Sequence, residues 1–153
     1  PINLERDKKR TYEIYGEIVR GRLQPLPGAT DFIKKCRKLR LKLAVATSAD
    51  RIKMEINLRE AGICSSAFDA LVNGLDVQNK KPHPEIFLAA ARRLNIPASQ
   101  CLVVEDAVNG VTAALAAGAK CLALTTSFQR ERLAGAHWFA ENLAAAPSEA
   151  LSW

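Results

Sequence analysis

Three places in this chain carry residue types suited to chemistry on a charged ligand. They are Thr47 with Ser48 after an apolar run, Lys81 before Pro82, and the adjacent carboxylates Glu105 and Asp106. The carboxylates close the run Cys101-Leu-Val-Val, which reads as a buried strand. Two carboxylates side by side at such a place repel each other and are costly to bury unless a cation sits with them. Hard oxygen ligands suit Mg2+, which keeps several waters and takes one or two carboxylates. Thr47 admits two readings at this level, a cap at a strand end or a hydroxyl presented to a ligand. Lys81 is one lysine among many, but Pro82 and Pro84 stiffen its loop and open the helix behind it, which would hold a long side chain in place.

His83 and His137 stand in no pattern with cysteine or acid that makes a metal site, and a solvated or structural role is expected for both. No Walker loop, GxGxxG or GxSxG occurs, which removes nucleotide-fold and serine-hydrolase readings.

The elements that must position these groups alternate. Helical spacing of Tyr12, Tyr15 and Val19, with Ile14 and Ile18 beside them, predicts a helix from Leu4 to about Arg20 with a broad apolar face, ended by Pro25, Pro27 and Gly28. A second helix is predicted from Ala29 to about Leu39, followed by a buried strand in Leu41–Ala46 that ends in Thr47-Ser-Ala-Asp. The unit repeats: a helix from Arg51 stopped by Gly62, a short strand at Ala70–Val72, a helix opened by Pro84, and the strand at Cys101. An alanine-rich helix capped by Gly118, the strand Cys121-Leu-Ala-Leu running into Thr125-Thr-Ser, and a weaker strand at Trp138-Phe-Ala complete it. Alternation at this spacing predicts an α/β fold, a three-layer αβα Rossmann-like parallel sheet. Ligands of such sheets sit at the carboxyl ends of the strands, where Thr47, Glu105 and Asp106 all fall.

At 153 residues, with 48% hydrophobic and 25% charged residues, the chain fits one globular domain. No apolar run approaches the ~18 residues of a membrane span, and the opening PINLERDKKR lacks the core of a signal peptide, so no membrane partner and a cytoplasmic location are expected. Cys36, Cys64, Cys101 and Cys121 are far apart and read as reduced structural thiols. The net charge of +6 and the run from Lys34 to Lys42 raise nucleic acid as a partner. Phe32, Cys36 and Leu39 make that run the wet face of an amphipathic helix instead, and no aromatic residues interleave to stack bases. Binding of nucleic acid is not expected.

Four pieces in order, PLPG at 25–28, LAVATSAD at 43–50, NKKPHPEIF at 79–87 and VVEDAVNGVTAALAAG at 103–118, resemble the haloacid dehalogenase superfamily, in particular its beta-phosphoglucomutase-like phosphatases. The resemblance implies magnesium-dependent phosphoryl transfer, as phosphatase or phosphomutase, on a small phosphorylated metabolite through an aspartyl-phosphate. Thr47 matches the hydroxyl that bonds a phosphoryl oxygen, with Ser48 and Ala49 adding backbone donors. Lys81 matches the lysine that bridges nucleophile and phosphoryl group, Asp106 the direct metal ligand, and Glu105 a ligand through water or a partner of Lys81.

The resemblance departs at one point. The family's chemistry begins with an aspartate in a DxDG-type motif on a first strand that lies between the strands ending at Thr47 and at Val104, and no such motif occurs here. The expectation is therefore a core, residues 23–153, without its first strand, preceded in residues 1–22 by the remnant of a helical cap, and inactive by itself. A retained upstream piece, a collapsed sheet or an association between chains through the gap would have to fill it, and the sequence does not choose among them. A catalytically silent chain that binds a ligand or partner is the alternative.

Overall fold

The computed structural model describes residues 4–153. The order is α1 (Leu4–Val19), α2 (Ala29–Lys38), β1 (Ala44–Ala46), α3 (Arg51–Glu60), β2 (Ala70–Val72), α4 (Glu85–Leu94), β3 (Leu102–Glu105), α5 (Val108–Ala116), β4 (Lys120–Leu124) and β5 (Trp138–Ala140). Every strand pairing is parallel, as the βα alternation requires.

The strands fall into two sheets, β1-β2 and β3-β4-β5. In β4 successive side chains point to opposite faces, and the two hydrophobic clusters follow that period of two. Cys121 and Ala123 join Val103, Ile86, Phe87 and Val111, the inner faces of α4 and α5. Leu122 and Leu124 join Ala140 and Ala150 on the other face, which the short 3₁₀ turns Leu143–Ala145 and Ser148–Leu151 cover. Gly28 meets these turns closely: its φ is 80°, and a Cβ there would collide with the backbone of Ala144, whose N–H donates to Pro27 O at 3.1 Å. The PLPG segment thus ties the start of α2 to the covering turns.

All four cysteines are free thiols; Cys36 and Cys121 are buried, Cys101 is half-buried and Cys64 is exposed. Burial, with the charge of Glu105 nearby, pushes the Cys121 thiol up to about 12, so it behaves as a small apolar side chain. The basic run is partly structural. Arg37 binds Asp69 at 2.8 Å and donates to Ala67 O, and Lys42 Nζ donates to Leu94 O at 2.7 Å. No helix of the described residues is long and apolar enough to cross a membrane.

Of the expected apolar face of α1, Tyr12, Tyr15 and Val19 are half-buried, whereas the isoleucines beside them face outward. Ile14 and Ile18 are 42% and 57% exposed, and Gly16 is the buried residue of the helix. The tyrosine ends do the docking instead. Tyr12 Oη donates to Asp50 Oδ2, Lys8 Nζ lies 2.9 Å from the same oxygen, and Tyr15 Oη donates to Asn57 Oδ1 at 2.6 Å. Burial works against the charge on Asp50, but the bonds from Lys8, Tyr12 and the Lys53 N–H outweigh it and hold the carboxyl below its ordinary value. Asp50 is also the N-cap of α3.

Between the two sheets runs an apolar slot of about 600 Å³, lined by Ala44 and Ala46 of β1, Leu102 and Val104 of β3, and Phe87 and Leu94 of α4. The facing edges of β1 and β3 have no strand partner among the described residues. The interruption falls where the resemblance expects a strand, and β1 and β3 do not close over it.

The loop from β2 to α4 is fastened by Glu85. Its carboxylate accepts from Gln78 N at 2.9 Å, Asn79 N at 2.9 Å and the Asn79 side-chain amide at 2.8 Å. The two backbone bonds and the amide lower its carboxyl from 4.5 to about 2. A carboxyl depressed on folding stabilises the fold above its unfolded value and loses that contribution as pH falls through the folded one. The gap in thermal midpoint between the wild type and Glu85→Gln, followed by circular dichroism, is therefore expected to shrink as pH falls from 4.5 towards 2. A gap constant over that window would contradict the role given to Glu85.

Candidate functional site

A cleft of about 600 Å³ lies at the carboxyl ends of β1 and β3. Thr47 and Ser48 enter it from the end of β1, Lys81 from the loop after β2, Glu105 and Asp106 from the end of β3, and Asn109 and Gly110 from the start of α5. Ala46 and Val104 line both this cleft and the apolar slot, so the slot opens into the cleft at its carboxyl end.

Lys81 Nζ donates to Glu105 Oε1, with the two side chains only 14% and 10% exposed. The ammonium also sits 4.7 Å from the centre of the Phe87 ring. The neighbouring Lys80 donates to Gly74 O and belongs to its own loop. The Lys81–Pro82 peptide bond is cis. Glu105 Oε2 accepts from the N–H groups of Asp106 and Ala107 at 3.2 and 3.3 Å. Both oxygens of Glu105 are thus engaged by groups of this chain, and of the two places expected for it the contact with Lys81 is the one these bonds describe.

Asp106 is held differently. Its Oδ2 accepts from Thr126 Oγ1 at 3.3 Å and from Ser127 Oγ, both just past the end of β4, while Oδ1 is taken by no donor among the described residues. No cluster of three or more His, Cys, Asp or Glu side chains suited to a metal occurs among the described residues. One carboxylate in a cleft that would also take a phosphate meets the smallest requirement of magnesium, which fills the rest of its shell with water and phosphate oxygens.

Thr47 receives Ala49 N–H on Oγ1 at 3.2 Å, and its own N–H donates to Val72 O at 3.0 Å. An oxygen that accepts from Ala49 keeps its own O–H proton to donate elsewhere. The N–H of Ala49, expected as a backbone donor to the ligand, closes the turn around Thr47, and Ala49 is not among the residues that line the cleft. His83 Nδ1 accepts from Glu85 N at 3.3 Å, and His137 Nδ1 from Cys121 N at 3.2 Å, so both histidines serve the backbone.

Thr126 and Ser127 were not among the expected site residues, although a Thr-Thr-Ser run after a buried strand places hydroxyls at the ligand edge of a parallel sheet. Such runs also end ordinary strands, so the sequence offers no way to rank them. Gly110 is a second silent position. A Cβ built on it would strike the Glu105 carboxylate, so glycine is what lets α5 start this close to the pair. Gly110→Ala is expected to push the carboxylate away from Lys81 and lower stability by about 1–3 kcal/mol through overpacking, read as a loss in the urea midpoint. An unchanged midpoint would show that Glu105 moves freely.

The family model of haloacid dehalogenase-like hydrolases matches residues 3–118. The chain is 50% identical over 101 residues, 66% of its own length and 10% of the relative's, to Protein SUPPRESSOR OF QUENCHING 1, chloroplastic, of Arabidopsis thaliana. It is 36% identical over 116 residues, 76% of its length and 53% of the relative's, to the phosphorylated carbohydrates phosphatase of Thermotoga maritima. Its fold superposes with a TM-score of 0.82, at 28% identity and covering 94% of this chain and 66% of the other, on CbbY from Rhodobacter sphaeroides in complex with xylulose-(1,5)bisphosphate. The chain therefore spans from a tenth to about two thirds of these proteins, and on its matched residues it belongs to the haloacid dehalogenase-like hydrolases.

Proposed function

We propose that this chain carries the phosphate-binding, lysine and metal-binding part of a magnesium-dependent phosphatase or phosphomutase that acts on a small phosphorylated metabolite in the cytoplasm. The observation that carries the reading is the meeting of Thr47, Lys81 and Asp106 in one cleft at the carboxyl edge of the strands. Two similar proteins point to the substrate class, one described as a phosphatase of phosphorylated carbohydrates and the other solved with a sugar bisphosphate.

In this reading Thr47 donates its hydroxyl proton to one phosphoryl oxygen. Lys81 offsets charge on the equatorial oxygens, held in place by Glu105 so that little reorganisation is needed when charge develops. Asp106 would hold magnesium through Oδ1, and the bound ion would neutralise charge on the transferring phosphoryl group. Glu105 and Asp106 are the only carboxylates that line the cleft among the described residues, and both have tasks. The attacking aspartate then has to come with a strand seated between β1 and β3, whose last residue would enter the cleft where Ala46 and Val104 border it. The aspartyl-phosphate would form on that residue. The same reading takes residues 1–22 as the remainder of a helical cap and 23–153 as the catalytic core.

By itself the chain is expected to release no phosphate from para-nitrophenyl phosphate at any magnesium concentration, because positioning and charge act on a bond that nothing attacks. An extended apolar peptide ending in aspartate, added in trans, is expected to give magnesium-dependent release that Lys81→Ala lowers by at least tenfold. The same peptide ending in alanine should give none. Release by the chain alone, abolished by Asp106→Ala, would overturn the division of roles, and silence with both peptides would favour the catalytically silent binder.

A further inference from the structure

We infer that Ser127, with Thr126 beside it, is a positioning residue for the metal-binding carboxylate of Asp106; the inference rests on the reading just given. Asp106 sits between the last residue of β3 and the first turn of α5, and its carboxylate is hydrogen-bonded by two hydroxyls from the turn after β4. Ser127 Oγ and Thr126 Oγ1 both donate to the same oxygen, Oδ2. Two donors on one oxygen define the carboxylate plane and leave Oδ1 as the oxygen with no protein donor among the described residues. Because Asp106 lines the cleft, that oxygen belongs to the site.

The placement is built into the sheet. β3 and β4 pair in parallel with Glu105 beside Ala123, so the chain leaving β4 passes the carboxylate that follows β3. The hydroxyls therefore reach Asp106 from the turn that follows the neighbouring strand, which the parallel ladder of β3 and β4 brings beside it. A carboxylate ligand held by outer partners in this way loses roughly ten- to hundredfold in metal affinity when they are removed. A hydroxyl is also the suitable partner chemically. It donates one hydrogen bond without adding a charge, so Asp106 keeps the full negative charge that a hard cation requires, which a lysine or arginine in that place would offset.

A merely structural tether between the strand ends would fasten the same loop, and metal affinity separates the two. Mn2+ is titrated into the full chain and its binding read by water-proton relaxation, with folding checked by circular dichroism. Asp106→Asn is expected to abolish binding. Ser127→Ala should weaken it about tenfold or more, Ser127→Thr should restore it because the hydroxyl returns, and Thr126→Val should weaken it less than Ser127→Ala, its contact being the longer. If Asp106→Asn abolishes binding while Ser127→Ala and Thr126→Val leave it unchanged, the positioning role is overturned and the metal reading stands. If Ser127→Thr binds as weakly as Ser127→Ala, the effect is one of packing and the role is again overturned. If the wild type binds no Mn2+, or Asp106→Asn binds as well as the wild type, the metal reading itself falls and this inference with it.

Discussion

The Lys81–Glu105 ion pair is the interaction on which the rest of the site depends. Lys81 belongs to the loop that leaves the β1-β2 sheet, and Glu105 ends β3 in the other sheet, so the pair ties the two halves together at the mouth of the slot. Removing both side chains from water is unfavourable, and the cost is offset only because each has further partners: two backbone N–H groups for Glu105 and the face of Phe87 for Lys81. Loss of one partner from such a pair costs about 3–5 kcal/mol, more than its formation contributes. The pair is better understood as a constraint on position than as a source of stability. It sets where the ammonium can be, and Gly110 and the start of α5 are arranged to leave room for it.

Stability has to come from elsewhere, and α4 with α5 supplies the span. Its inner residues Ile86, Phe87 and Ala90 lie in the main core with Val72 of β2 and Val103 of β3, one strand from each sheet. α4, packed on β1 and β2, and α5, packed on β3 and β4, meet in this core and together splint two sheets that share no hydrogen-bonded strand. Phe87 takes part in both arrangements, burying its ring in the core while presenting a face to Lys81. Packing and charge placement are coupled through that one side chain.

Much of this was legible in the sequence because the signals were local. Apolar runs ending in Thr47 and in Glu105-Asp106 located two strand ends, and Pro82 and Pro84 marked a stiff loop before a helix. The order of four motifs then carried the family. Contacts between distant elements were not legible. Nothing in Lys80-Lys81 says which ammonium reaches a carboxylate 24 residues on in the chain; the prolines marked the loop, and the resemblance chose Lys81 over Lys80. The hydroxyl of Ser127 reaches back across 21 residues to Asp106, a distance set by the parallel crossover and not by any local pattern. On α1 the periodicity was right and the inference about its face was incomplete. Tyr12 and Tyr15 look like core residues in a helical pattern, yet each docks by its phenol oxygen, and a hydrophobicity pattern has no account of that end of the ring.

The two-sheet arrangement also explains why so much of the polar machinery is preassembled without a strand in the slot. In a continuous sheet the ladder fixes the spacing between β1 and β3; here α4, packed on α5, and the Lys81–Glu105 pair have to do it. Both act at the side of the slot, one along its wall and one at its carboxyl mouth, and neither obstructs the facing edges of the strands. At the amino end of the slot, where Leu102 and Leu94 stand, Lys42 donates to the carbonyl of Leu94, a tie that joins the approach to β1 to the end of α4 and not to β3. The separation of the strands is then best defined where Thr47, Lys81 and Asp106 meet, and less so away from them. Misplacement of about 1 Å can cost ~100-fold in rate, so in the proposed function it matters that the better-held end is the one at the cleft. A strand entering the slot would meet a site whose charges are already in place and would itself complete the spacing that the ladder normally provides.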